Sequence, residues 1–134
     1  MHRYLDDLHE RLGVEICWGD VVAEATAYHP PSGSFLVVRQ ERVPVGCGAV
    51  RAIGGDVGEM KRMWVAPGIR RQGVGARLLH ALEDEARGIG YRLVRLDTRR
   101  ELVEAVSLYR RAGYREVPAY NDNADADVWF EKQL

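Results

Sequence analysis

Arg70-Arg71-Gln72-Gly73-Val74-Gly75 lies between a strand-like run, residues 59–65, and a helix-like run, residues 74–87. Its two glycines let the backbone turn tightly and bring bare N–H groups close to a ligand. Those groups point out of the first turn of a helix, where the macrodipole favours an anion. Arg70 and Arg71 add charge-assisted donors. A strand, a basic glycine-rich turn and a helix together make a cradle for a pyrophosphate. A P-loop is excluded, because Ala76-Arg77 stand where Lys-Ser/Thr would follow the glycines. A dinucleotide fingerprint is excluded too, because Leu78 takes the place of its third small residue. Asp97 falls near the distance at which that fingerprint carries an acid, but an acid at that range is common by chance.

Downstream of the cradle, Val74, Leu78, Leu82 and Ala86 recur at helical spacing with Leu79 beside them, and Gly88 and Gly90 end the run. Residues 91–97 alternate and read as a strand, with Tyr91, Leu93, Arg95 and Asp97 on one face. Residues 102–112 form a second helix stopped by Gly113. Two last strands, 114–117 and 128–132, flank a polar loop, 118–127. Upstream, residues 34–39 and 45–53 read as a hairpin around 40–44, and Gly54-Gly55-Asp56 turns the chain into the strand 59–65. Tyr4, Leu5, Leu8 and Leu12 predict an N-terminal helix stopped by Gly13. Residues 21–27 are ambiguous, with Asp20 as a candidate helix cap, and 29–33 is loop. The order is helix, three strands, helix, strand, helix, two strands. The central strand-helix-strand unit demands a parallel pair with a right-handed crossover, and the rest is hairpins. The expected fold is a mixed sheet with helices on both faces, an α/β or α+β domain.

At 134 residues the chain is expected to be one domain spanning 1–134. Its 19 basic and 20 acidic residues leave a net charge of −1, so no global field draws it to nucleic acid or an anionic membrane. Apolar runs of four or five residues are too short to cross a bilayer, and the acids near the N-terminus do not fit a signal peptide. Cys17 and Cys47 lack the spacing of a metal or redox motif and suit a reducing, cytoplasmic setting. The histidines are scattered. Asn121, Asn123, Asp125 and Asp127 alternate like the start of a calcium loop, but Ala126 and Lys132 replace its glycine and its glutamate, so no metal is expected.

The cradle follows Val65-Ala66-Pro67, giving Val-x-Pro-x-x-Arg-x-x-Gly-x-Gly, and this resembles the acetyl-CoA motif of the GNAT superfamily of N-acetyltransferases. Ala105-Val106-Ser107-Leu108-Tyr109-Arg110-Arg111-Ala112-Gly113-Tyr114 looks like the superfamily's Ala-x-x-Leu-Tyr-x-x-x-Gly-Phe/Tyr signature. The resemblance runs from Ser34 to the end, about three-quarters of the chain. The chain departs from the pattern in three places. The superfamily's opening strand is expected to be missing or short. Leu102 stands where many members carry Asn, and Arg70-Arg71 stands where many carry Arg-Gly.

The resemblance implies that the strands 59–65 and 91–97 splay apart and admit the pantetheine arm of acetyl-CoA. The backbone of Met63, Trp64 and Val65 would hold the arm, and Arg70, Arg71, Gln72, Gly73, Val74 and Gly75 the pyrophosphate. Tyr109 stands where members place the general acid, and a phenol can protonate a departing thiolate. Glu59 stands where several carry the general base, although a water chain could serve instead. A backbone N–H near Met63 or Trp64 would stabilise the oxyanion. The implied activity is acetyl transfer from acetyl-CoA to a primary amine of a small molecule or amino acid, by direct attack through a tetrahedral intermediate. Acetylation of protein N-termini or lysines, or a non-catalytic acyl-CoA-binding module, are the alternatives. The resemblance leaves a homodimer open. The polar loop, 118–127, is expected to border the acceptor site, where its acids could attract a cationic amine.

Overall fold

The structure, a computed structural model, describes residues 14–18 and 31–134. The helix expected over residues 4–12 and the ambiguous segment 21–27 lie outside the described residues. Seven strands form one sheet: β1 (Val14–Trp18), β2 (Ser34–Gln40), β3 (Val43–Gly54), β4 (Val57–Val65), β5 (Leu93–Thr98), β6 (Arg115–Val117) and β7 (Val128–Gln133), in the spatial order β1-β2-β3-β4-β5-β7-β6. Every neighbour is antiparallel except β4 and β5. These two are joined through a 3₁₀ turn, Pro67–Gln72, and the helix α1, Val74–Ile89. A second helix, α2 (Val103–Arg111), joins β5 to β6.

Strand β1, expected to be missing or short, lies between the expected helix stop at Gly13 and the candidate helix cap at Asp20. It is present and short, five residues at the sheet edge, paired with β2 from Val14↔Gln40 to Trp18↔Leu36. Its inward position is Ile16, fully buried. So short a run carries too few alternations to declare itself against flanking helix signals. The sequence reading thus counted six strands where the structure has seven.

The hairpin between β2 and β3 is tighter than the five-residue loop expected. It turns on Glu41 and Arg42 alone, with φ of 50° and 70°. That is the left-handed pair whose twist suits a two-residue hairpin, made here without glycine. Cys17 and Cys47 both pair with Val37, one from each side, so a whole strand separates them. Two strand spacings come to about 9–10 Å, beyond the reach of a disulfide.

Both described helices pack on one face of the sheet. Leu78, Leu79, Leu82 and Ala86 of α1 are buried against Val50, Met60, Val94 and Leu96, and Tyr109 of α2 stacks on Phe130 of β7 with ring centroids 6.1 Å apart. Gly48 explains how closely α1 approaches β3. A Cβ there would lie 2.6 Å from Leu82 Cδ1 and 2.6 Å from Met63 Sδ. One buried carboxylate ties the layers together: Glu83 of α1 accepts from Lys132 Nζ at 3.1 Å and from the Tyr114 hydroxyl at 2.8 Å. Helices were expected on both faces of the sheet; the described residues place theirs on one, and the N-terminal helix expected over residues 4–12 lies outside them.

Candidate active site at the fork between two parallel strands

Strands β4 and β5 pair only at Val57↔Leu93, Gly58↔Val94 and Glu59↔Arg95, although β4 runs on for six more residues. Beyond Glu59 the two strands part. Among the described residues, the edge of Lys61, Arg62, Met63 and Trp64 that faces β5 has no strand partner and suits an added strand-like ligand, the geometry of β-augmentation. On its other edge β4 stays paired with β3, but the register slips between Cys47/Ala49 and their partners Trp64/Lys61. The slip puts Arg62 and Met63 opposite Gly48 alone, which makes a bulge. Arg62 has φ 60°, a costly value for a residue with a side chain. The Cys47 thiol donates to the Arg62 carbonyl at 3.2 Å and fastens the bulge. Burial pushes the Cys47 thiol up, opposed by the charge of Arg62. Nothing in the sequence around Arg62 signals the bulge, because no glycine or proline marks it.

The open edge leads to the cradle. Pro67–Gln72 winds as a 3₁₀ turn that ends at Gly73, whose φ of 79° places it in the left-handed region. Gly73 also begins α1, with no side chain capping the helix and no acid in its first turn. Among the described residues the first-turn N–H groups thus have no side-chain competitor for an anion. Gly75 has a different reason to be glycine: its Cβ position faces Leu108 Cδ2 of α2 at 3.3 Å. The bare residue lets α2 close over the helix start. The side chains of Arg70, Arg71 and Gln72 lie outside the described residues.

Tyr109 on α2 is buried against Tyr114 and Phe130, at ring distances of 5.8 and 6.1 Å. Burial pushes its phenol up to about 12, and the negative charge of Asp97 adds to the rise. Asp97 lies on β5 just past the last parallel pair, so Tyr109 is electrostatically coupled to the fork. Leu102, in the position where an Asn was missed, begins α2 half-exposed and offers no side-chain cap.

Glu59 stands at the crotch of the fork and is 2% exposed. Its carboxylate is fully engaged. Oε1 accepts from Arg51 Nε at 3.0 Å and pairs with the same guanidinium at 2.9 Å, and Oε2 accepts from the Tyr120 hydroxyl at 2.7 Å and from Asn121 Nδ2 at 3.4 Å. Asp97 accepts from Asn121 Nδ2 at 2.6 Å and from Asn123 Nδ2 at 3.2 Å. Lys61 Nζ lies between the two acids, 3.8 Å from Glu59 and 3.7 Å from Asp97. Burial, then the bond to Glu59, raises the Tyr120 phenol.

These groups share the sheet face away from the described helices. Across it runs a row of alternating charge, Arg51, Glu59, Arg95, Glu131 and Arg115, each directly beside the next in register. Arg95 bonds Glu131 at 3.2 Å and Arg115 bonds it at 2.7 Å, which holds the Glu131 carboxyl below its usual range. The polar loop, 118–127, folds down onto this face. Its resemblance to a calcium loop dissolves into local turns: Asn123 N donates to Asn121 Oδ1 at 3.2 Å and Asp125 N to Asn123 Oδ1 at 3.0 Å.

The structure therefore brings Glu59, Met63, Trp64 and Val65 together on one strand, with the turn to Gly73, Val74 and Gly75 at its end, while Tyr109 packs under the other face of the sheet and feels the charge of Asp97. It adds Asp97, Arg51 and Lys61, which the sequence reading did not place in the site, and singles out Tyr120 and Asn121 from the loop expected to border it. Only strand register reveals that row, and register is a tertiary property. The family model for the acetyltransferase (GNAT) family matches residues 3–114. The chain belongs to the GNAT acetyltransferase family. It is 35% identical over 117 residues to an IAA acetyltransferase of Azospirillum brasilense, covering 87% of this chain and 72% of that one. It is 37% identical over 105 residues to an uncharacterized N-acetyltransferase of Schizosaccharomyces pombe, covering 77% of this chain and 64% of that one. The chain thus spans about two thirds of the length of these curated relatives. Among solved structures, a provisionally assigned acyl-CoA N-acyltransferase from Klebsiella pneumoniae superposes with a TM-score of 0.75 at 33% identity, covering 84% of this chain and 79% of that one. A GNAT acetyltransferase from Elizabethkingia anophelis with acetyl-CoA bound shares the fold at a TM-score of 0.69 and 17% identity, covering 90% of this chain and 98% of that one. This GNAT enzyme is an N-acetyltransferase by family. No described helix is long and apolar enough to cross a membrane.

Proposed function

We propose that this GNAT enzyme transfers acetyl from acetyl-CoA to a primary amine of a small molecule or amino acid, by direct attack through a tetrahedral intermediate. The observation that carries the reading is the fork: β4 leaves β5 after Glu59, and its open edge runs straight to an uncapped helix start. The backbone of Met63, Trp64 and Val65 holds the pantetheine arm, and Arg70, Arg71, Gln72, Gly73, Val74 and Gly75 hold the pyrophosphate. The bulge at Arg62 turns backbone N–H groups near Met63 out of the regular ladder, which suits an oxyanion donor.

Tyr109 is the acid. With a pKa of about 12 it keeps its proton throughout the neutral range. Passing that proton fully to a thiolate of ordinary pKa about 8.5 is uphill by about 3–4 pK units. Its contribution is accordingly a hydrogen bond to the developing thiolate, with the proton following as charge builds up. Glu59 is the base. With both oxygens engaged, it takes the ammonium proton directly or through water when the Tyr120 bond to Oε2 gives way.

The acids of the polar loop are not what faces the fork; its amides are, while the carboxylates come from the sheet. The deciding experiment follows release of free CoA thiol from acetyl-CoA against amines, amino acids and short peptides. Since one relative is named an IAA acetyltransferase, IAA belongs on the panel. Turnover confined to small amines supports the proposal. Turnover confined to peptides replaces it with the protein-acetylating reading, and tight binding of acetyl-CoA without turnover replaces it with the binding-module reading.

A further inference from the structure

Asn121 touches both strands of the fork at once. Its Nδ2 donates to Glu59 Oε2 on β4 at 3.4 Å and to Asp97 Oδ2 on β5 at 2.6 Å. Its Oδ1 accepts from Trp129 Nε1 on β7 at 2.9 Å and from its own loop's Asn123 N at 3.2 Å. The two donor sites of the amide meet two carboxylates, and its oxygen meets two N–H groups. Turning the amide over would set oxygen against both acids and NH₂ against both donors, so the orientation is fixed by its partners. The other described side chain placed between both acids is Lys61, at 3.8 and 3.7 Å, too far for a hydrogen bond.

The loop does not need Asn121 to stay closed at its far end. Asp127 N bonds Thr98 O at 3.0 Å, and Arg100 N bonds Asp127 Oδ1 at 2.7 Å. Asn121 therefore governs the middle of the loop and the distance between Glu59 and Asp97. We propose that Asn121 is the positioning residue of the acceptor site, an amide clasp that ties β4 to β5 past their last backbone pair and fixes Glu59 and Asp97 against the incoming amine. The inference rests on the reading of Glu59 as the base beside that amine. Acetyl-CoA is held elsewhere, along the open edge and the helix start, so the clasp acts on the acceptor alone.

The test compares Asn121→Ala and Asn121→Asp with the wild type. Asn121→Asp keeps the size and the oxygen that accepts from Trp129, and sets a third carboxylate against two. Steady-state kinetics on the best amine should show acceptor kcat/KM lower by about 10–100-fold, the scale of a misplacement near 1 Å, with the KM for acetyl-CoA within about twofold of wild type. The aspartate should be the worse of the two. Independently of turnover, chymotrypsin should cut after Tyr120 several-fold faster, because the loop's middle is released, while the melting temperature stays close to wild type. Unchanged acceptor kinetics together with unchanged protection of Tyr120 overturn the clasp, and so does an equal rise in KM for both substrates. If the wild type acetylates no amine, the functional reading fails by itself, and the cleavage rates alone decide whether Asn121 holds the loop. Should both variants fail to fold, Trp129→Phe removes one bond to Oδ1 and spares both acids. It should then show a smaller change of the same kind, and no change would overturn the proposal.

Discussion

Replacing Tyr109 by Phe removes one oxygen and leaves the ring. The ring's contacts with Tyr114 and Phe130, at 5.8 and 6.1 Å, do not involve the hydroxyl, so the packing at neutral pH survives. If Tyr109 donates to the departing thiolate, kcat should fall. A phenol of pKa about 12 is a weak acid, which places its worth with single hydrogen-bond donors to developing charge, about 10²–10³-fold or roughly 3–4 kcal/mol. The KM for acetyl-CoA should stay near wild type, because binding uses the strand edge and the helix start. The same variant tests the burial argument without any substrate. The folded pKa of about 12 exceeds the unfolded value, so folding favours the protonated phenol. That stability is complete below about pH 10 and is lost as pH rises through 12, about 3 kcal/mol over the two units. Between pH 10 and 11 the wild type should lose about 1 kcal/mol that Tyr109→Phe does not lose, worth about 3–4 °C in melting temperature. Tyr91, Tyr114 and Tyr120 are raised as well, but they are present in both proteins and cancel in the difference. CoA-thiol release at saturating substrate and thermal melts at pH 9, 10 and 11 are the assays. An unchanged kcat removes Tyr109 from the chemistry, and parallel melting curves for the two proteins refute its burial as a titrating phenol.

Two further substitutions probe the scaffold. Gly48→Ala drives a Cβ to 2.6 Å from both Leu82 Cδ1 and Met63 Sδ, and should cost about 1–3 kcal/mol in a urea melt together with a loss of kcat, because Met63 is part of the bulge. Gly73→Ala finds open space but inherits a φ of 79°. It should cost about 1 kcal/mol of stability and raise the KM for acetyl-CoA several-fold with little change in kcat, read by initial rates over a range of acetyl-CoA concentrations.

The cradle and the last helix were legible because their constraints are local. A left-handed Gly73 between a strand and a helix, and a buried Tyr109 in a helix stopped by Gly113, leave their marks within a few residues of sequence. The parallel pair and the hairpins followed from the same local logic, but the insertion of β7 between β5 and β6 did not. What escaped was set by pairing across strands. Arg51, Glu59, Arg95, Glu131 and Arg115 are scattered between positions 51 and 131 and become neighbours only through register. Asn121 looked like the start of a failed calcium loop, and Tyr120 like any residue of a polar loop, because their partners, Asp97 and Glu59, stand 24 and 61 residues away. The bulge at Arg62 has no local mark at all. It is imposed by β3, where Gly48 makes room and Cys47 holds the carbonyl.

Glu59 occupies two roles that must be separated. It is the last residue of β4 to pair with β5, and its carboxylate gathers Arg51, Tyr120 and Asn121 at the point where the strands part. A residue so placed would be needed for shape even if it never moved a proton. Loss of activity in Glu59→Gln alone therefore cannot distinguish a base from a keystone. Arg51→Met beside it can. It leaves the carboxylate and its bonds to Tyr120 and Asn121 and takes away the cation 2.9 Å from Oε1. If Glu59 is the base, the acid limb of the pH–rate profile vanishes in Glu59→Gln, which has lost the carboxylate, and persists in Arg51→Met, which keeps it. If Glu59 only shapes the fork, kcat falls in both variants but both keep the acid limb of the wild type. Arg51 is partly exposed at the sheet face, so its loss should leave the fold intact for the comparison.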